Sequence, residues 1–142
     1  IIASIAIPNL LRSRMASNES AAAGAMRTIS TGQVGYKAAA FTDSNGDGDG
    51  DYGTLPQLAD PDGGGATPPY IDSVLGGGRK LGYTYSIAVT PGSAAAAASY
   101  AATAAPATPG RTGYQQFWVD ETGIIRYTTD GTAATAASTP LN

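Results

Sequence analysis

Hydrophobic positions follow three regimes along the chain. The first is a nearly unbroken apolar block, Ile1-Ile2-Ala3-Ser4-Ile5-Ala6-Ile7, closed by Pro8-Asn9-Leu10-Leu11-Arg12-Ser13-Arg14. The second is a stripe. From Leu11 the apolar side chains Leu11, Met15, Ala22, Met26, Ile29 and Tyr36 recur mostly three, four or seven residues apart, the period of one helix face. Ala16 and Ala21 to Ala23 favour helix as well. Together the two regimes predict one long helix over residues 1–40, roughly 60 Å at about 1.5 Å per residue. That is longer than a small domain needs, so its first part, residues 1–11, should project beyond the globular body. Met15, Met26 and Ile29 should face a sheet. Pro8 lacks an N–H and clashes with the preceding turn, so a kink or a melted turn is expected there. Gly24, Gly32 and Gly35 weaken the helix further.

The third regime is alternation, and it comes late. Tyr83, Tyr85, Ile87 and Val89 alternate with smaller residues at period two, so they should share one face of a strand that Pro91-Gly92 ends. Tyr100 to Pro106 is a weaker strand, because alanine is a poor strand former. Phe117-Trp118-Val119-Asp120, a short Gly-containing loop and Ile124-Ile125-Arg126-Tyr127-Thr128 read as a β-hairpin. Between helix and sheet, residues 41–80 read as a long loop with two short pieces, Thr54 to Ala59, helical or extended and packing Leu55 and Leu58, and Tyr70 to Leu75. Residues 129–142 are small and polar, and read as a loosely held tail. The fold class expected is α+β: a long N-terminal helix on a small antiparallel sheet spanning 83–128, with long irregular loops.

Composition narrows the chemistry. The 142 residues fit one domain. There is no cysteine and no histidine, which removes disulfides, thiolate chemistry, the commonest general base and the commonest transition-metal ligand. An enzyme would have to work with a carboxylate pair, and the Asp cluster of this chain has no apolar wall to raise a pKa. Hence no enzymatic activity is expected. The net charge of −3 gives no reason to expect nucleic acid as a partner. Charged residues make up only 13%, a poorly charged surface that suits an exported protein or one packed against copies of itself.

The densest chemistry is Asp43-Ser44-Asn45-Gly46-Asp47-Gly48-Asp49-Gly50-Asp51. Asp43, Asn45, Asp47, Asp49 and Asp51 alternate with small residues, so a flexible backbone can curl their oxygens around a hard cation. Calcium, which takes six to eight oxygens at about 2.3–2.6 Å, is the candidate cofactor. Asp43, Asn45, Asp47 and Gly48 match the first half of an EF-hand loop, but the twelfth position is Thr54 rather than Glu. The alternative is a solvated acidic turn, with Asp and Gly present for turn geometry. Both readings stay open on the residues alone.

The run Ile1 to Arg12, with its Ala6-Ile7-Pro8-Asn9 end and the long helix after it, resembles the N-terminal signature of the type IV pilin superfamily, which includes the type II secretion pseudopilins. The Phe117–Thr128 hairpin, with Asp120-Glu121-Thr122-Gly123, is similar to the closing hairpin of many pilin-like proteins. The resemblance covers most of the chain and implies a pilin-like fold. It also implies a processed N-terminus, with a methylated aromatic and a register glutamate upstream of Ile1, where the apolar span would be completed. Pseudopilins of the major class are known for a calcium site near the C-terminal end of the sheet. The acidic run here follows the helix instead, so those ligands are not carried over, and neither is the C-terminal disulfide loop of many pilins.

The resemblance implies the structural subunit of an extracellular helical filament at the cell surface. It would be a homo-oligomer that passes through the inner membrane and an export and assembly machinery. Ile1, Ile2, Ile5, Ile7, Pro8, Leu10 and Leu11 would pack the filament core, and Arg12, Arg14 and Glu19 would make charge contacts between subunits. The alternatives are the major pseudopilin of a type II secretion system, and a soluble calcium-binding or adhesive module with a helical anchor.

Overall fold

A computed structural model describes the backbone of residues 2–142 and the side chains of residues 7–142. Ile1, Ile2 and Ile5 of the expected core-packing set therefore fall outside the described side chains. Helix α1 spans Ile2–Ala38. Pro8 lies inside it, and the helix continues through rather than melting. Proline removes the hydrogen bond its own N–H would make to the residue four positions back and crowds that carbonyl, a local loss that a helix accommodates by bending while the turns on either side persist.

Six strands follow, β1 Arg79–Lys80, β2 Tyr83–Thr90, β3 Ser99–Pro106, β4 Gln116–Asp120, β5 Arg126–Thr128 and β6 Thr139–Pro140. They form a meander in sequence order, each antiparallel to the next. The chain is thus α+β, one long helix and one antiparallel sheet. The alternation expected of β2 is present: Tyr83 and Tyr85 are buried, Ile87 and Val89 half-buried, and the residues between them are exposed. The alanine-rich β3 is a strand in the middle of the sheet, paired on both edges. Poor intrinsic propensity is overridden there by burial, because a small inward face lets the helix approach. Ala102 and Ala104 of β3 are fully buried, as are Ala22, Met26 and Ile29 of α1. Tyr36, Phe117, Val119, Leu58 and Leu75 complete the core.

Residues 41–80 hold two short helices, α2 Leu55–Ala59 and α3 Ser73–Gly76, at the two short pieces. The stretch 129–142, expected to be a loosely held tail, contributes to the sheet. It supplies β6, the Leu141 amide donates to the Ile125 carbonyl at 2.7 Å, and Ala134 is buried. An edge strand is held by backbone bonds, which leave no hydrophobic pattern in the sequence.

Candidate functional site

Three places carry the residues singled out above: the overhanging start of α1, the junction where α1 meets the head, and the acidic loop at the far end of α1.

The overhang is defined by burial. Among the described side chains of α1, Met15 is the first that is buried, and residues 7–14 are all exposed. Ile7 is 67% exposed, Leu10 57% and Leu11 40%. With Arg14 they line one shallow groove. Nothing in the head covers them. Arg12 and Arg14 follow directly, exposed and without a carboxylate partner among the described residues.

At the junction, adjacent residues of α1 grip one loop of the head. The Asn18 amide donates to the Thr112 carbonyl at 3.0 Å. The Glu19 carboxylate accepts from the Tyr114 and Gln115 amides at 2.8 and 3.2 Å. Glu19, expected to contact a neighbouring subunit, is thus engaged within its own chain. The Tyr83 hydroxyl donates to the Gln115 carbonyl on the same loop. These bonds fix the direction in which the exposed part of α1 leaves the head.

Sequence reasoning missed Gln33. It is fully buried, and its amide makes a two-way clamp on one residue: it donates to the Gly53 carbonyl at 2.6 Å and accepts from the Gly53 amide at 2.8 Å. The signal was there, since residues 26, 29, 33 and 36 continue the buried stripe and a polar residue in such a stripe needs partners.

In the acidic loop the five expected ligands take different roles. Asp43 accepts from the Gly46 and Gly48 amides at 2.8 and 2.9 Å, one on each oxygen. The Asn45 side chain donates to Asp47, which also accepts from the Asp49 amide. Asp49 pairs with Lys37 at 2.5 Å. That bond, ahead of the surrounding charges, raises the Lys37 pKa. Asp51 is buried and accepts from the Ser44 amide at 2.8 Å and the Gly92 amide at 2.7 Å. The Ser44 hydroxyl first, then the Gly92 and Ser44 amides, hold its carboxyl below the usual range. Asp51 therefore staples the loop to the β2–β3 connection.

Asn45, Asp47, Asp49 and Asp51 line one groove of about 350 Å³ with residues 92–98, and Asp43 does not. Among the described residues no three acidic side chains converge on a point that would hold a metal ion. The donor set is all hard oxygen, as calcium requires, but in this arrangement backbone amides and Lys37 occupy several of the oxygens. The aromatic residues of the sheet face are core: burial pushes the Tyr85 phenol up to about 12.

Among the described residues no helix is long and apolar enough to cross a membrane. No family model matches the chain, and no curated protein or solved structure does either.

Proposed function

We propose that this chain is the structural subunit of a helical filament of the type IV pilus kind, with a pilin-like fold, assembled through α1. The observation that carries the proposal is the overhang. Among the described side chains, α1 is buried from Met15 onward and leaves Ile7, Leu10 and Leu11 exposed to solvent. Burying such a side chain contributes about 1.5–3 kcal/mol. Identical rods that bury them against one another repeat by a screw operation, and contacts that do not close give filaments. Electron microscopy of the full chain tests this. Filaments are expected, and Ile7→Asp with Leu11→Asp should abolish them without unfolding the head. Monodisperse monomers of the unaltered full chain would sink the proposal.

A calcium ion on the 43–51 loop is the second part of the proposal, supported by the groove that Asn45, Asp47, Asp49 and Asp51 share. Binding there would compete with the Lys37 pair and the internal amide bonds. Melting curves with calcium and with chelator decide it. A higher melting temperature in calcium, absent in Asp47→Ala, supports the site; identical curves remove it.

A further inference from the structure

We propose that the end of the head from which α1 emerges docks on an anionic lipid surface, through the β1–β2 hairpin tip together with Arg111, Tyr114, Arg12 and Arg14. The tip is Arg79-Lys80-Leu81-Gly82. Lys80 pairs with Tyr83, so Leu81 and Gly82 are a two-residue turn, and both have left-handed backbones at φ 47° and 77°. Such turns favour Asn or Gly at both central positions. A leucine there is strained, and its side chain gains nothing from the core: it is 60% exposed. An apolar side chain held at a strained, exposed tip beside two basic residues is suited to contact something outside the chain.

The tip does not stand alone. A Cβ on Gly82 would lie 2.9 Å from Thr112 and 3.1 Å from the Asn18 amide, so the turn abuts the junction of α1 with the 112–115 loop. That loop presents Tyr114, 55% exposed, and the exposed Arg111. Arg14 lies one helical turn before Asn18, with Arg12 and the apolar Leu10 and Leu11 beyond it. Arg12, Arg14, Arg79 and Arg111 are all exposed, and none has a carboxylate partner among the described residues. The carboxylates of Glu19, Asp72 and Asp130 stay charged, each held by a donor of the chain itself, and the four arginines outnumber them. Glu19 accepts the Tyr114 and Gln115 amides, Asp72 pairs with Lys80 at 2.7 Å, and Asp130 accepts from Thr132.

The layering identifies the occupant. The exposed start of α1 carries Arg12 and Arg14, and the end of the head beside it carries Arg79 and Arg111 with one exposed leucine and one exposed tyrosine. A bilayer offers hydrocarbon, an interface that favours tyrosine, and phosphates that arginine binds in a fork. The acidic loop lies at the opposite end of α1, away from such a surface.

The absence of cysteine permits single-site labelling. An environment-sensitive dye on Leu81→Cys, in the full chain, is compared with the same dye on Ala95→Cys at the far end of the sheet. Vesicles of phosphatidylcholine with phosphatidylglycerol are compared with phosphatidylcholine alone. A blue shift is expected at 81 and not at 95, on the anionic vesicles only, and reversed by salt. Arg79→Gln with Arg111→Gln should lower partitioning onto anionic vesicles about 30-fold, at about fivefold per charge. Leu81→Asn, which suits the turn, should weaken partitioning without lowering the melting temperature. Equal shifts on both vesicle types, equal shifts at both positions, or unchanged partitioning of the arginine variant would overturn the inference. A shift at 81 that grows with protein concentration and needs no vesicles would assign the face to a second copy and overturn it too. Docking of this kind requires no filament. A chain that docks but never assembles would sink the assembly proposal alone.

Discussion

Gln33 shows how one residue ties two parts of the chain together. Its amide satisfies both the N–H and the carbonyl of Gly53, buried where α1 passes the start of the α2 segment. Gln33→Leu keeps the volume and orphans both backbone groups, so it should destabilise by about 2–4 kcal/mol in urea unfolding. Gln33→Glu sets a carboxylate against the Gly53 carbonyl, and its stability should partly recover as pH falls and the carboxyl protonates. A Leu variant as stable as the parent would show that the clamp is dispensable. Asp51 acts through its charge. Its folded pKa lies below the unfolded value of about 3.9, so its stabilisation is complete above that value and is lost as pH falls through the folded pKa. Melting temperature measured against pH should fall more steeply below about pH 4 in the parent than in Asp51→Asn. Parallel curves would remove the staple as a pH-dependent element. Gln33 was legible as a polar break in an apolar stripe. The staple was not, because its partner Gly92 is distant in sequence and offers only a backbone amide.

At the scale of elements, α1 is set by its sequence and trimmed by its neighbours. A Cβ at Gly24 would meet nothing within 4 Å, whereas one at Gly50 would strike the Lys37 carbonyl and lie 2.8 Å from the Ala40 Cα. Two opposite results follow. Gly24→Ala should raise stability by about 0.5–1 kcal/mol, the ordinary helix preference. Gly50→Ala must push apart the backbone at the end of α1, and should cost about 1–3 kcal/mol. Thermal unfolding of the pair checks both signs. Helix weakening was foreseen at Gly24, Gly32 and Gly35, but the contacts separate them: Gly32 and Gly35 lie against Tyr70, and Gly24 is open. Strand β6 is the counterpart. Its two residues carry no strand pattern, and its place comes from pairing with β5 and from Leu141 packing on the core. Removing residues 138–142 should therefore lower the melting temperature, although the segment reads as a tail.

For the whole molecule, head stability and the exposed helix start are separable. The described side chains before Met15 contact solvent, so Ile7→Asp with Leu11→Asp should leave the melting temperature of the head unchanged while acting on assembly. A lowered melting temperature would mean that the start of α1 is part of the head. The division of labour has a physical origin. Periodicity is a local property, so residue spacing alone determined the long helix, the β2 alternation, the β4–β5 hairpin and the order of helix before sheet. Spacing also marked the start of α1 as apolar beyond the needs of a core, and composition removed cysteine and histidine chemistry. Which oxygens meet which donors is a property of distant segments brought together. Only the tertiary structure therefore turned Glu19 inward to the Tyr114 and Gln115 amides, made Asp51 a staple to Gly92, set Gln33 against Gly53, and held the tail as an edge strand. It also set the strained Leu81 turn and Arg79 beside the Asn18–Thr112 junction, because the β1–β2 register and the contact of Gly82 with Thr112 and Asn18 join segments far apart in sequence.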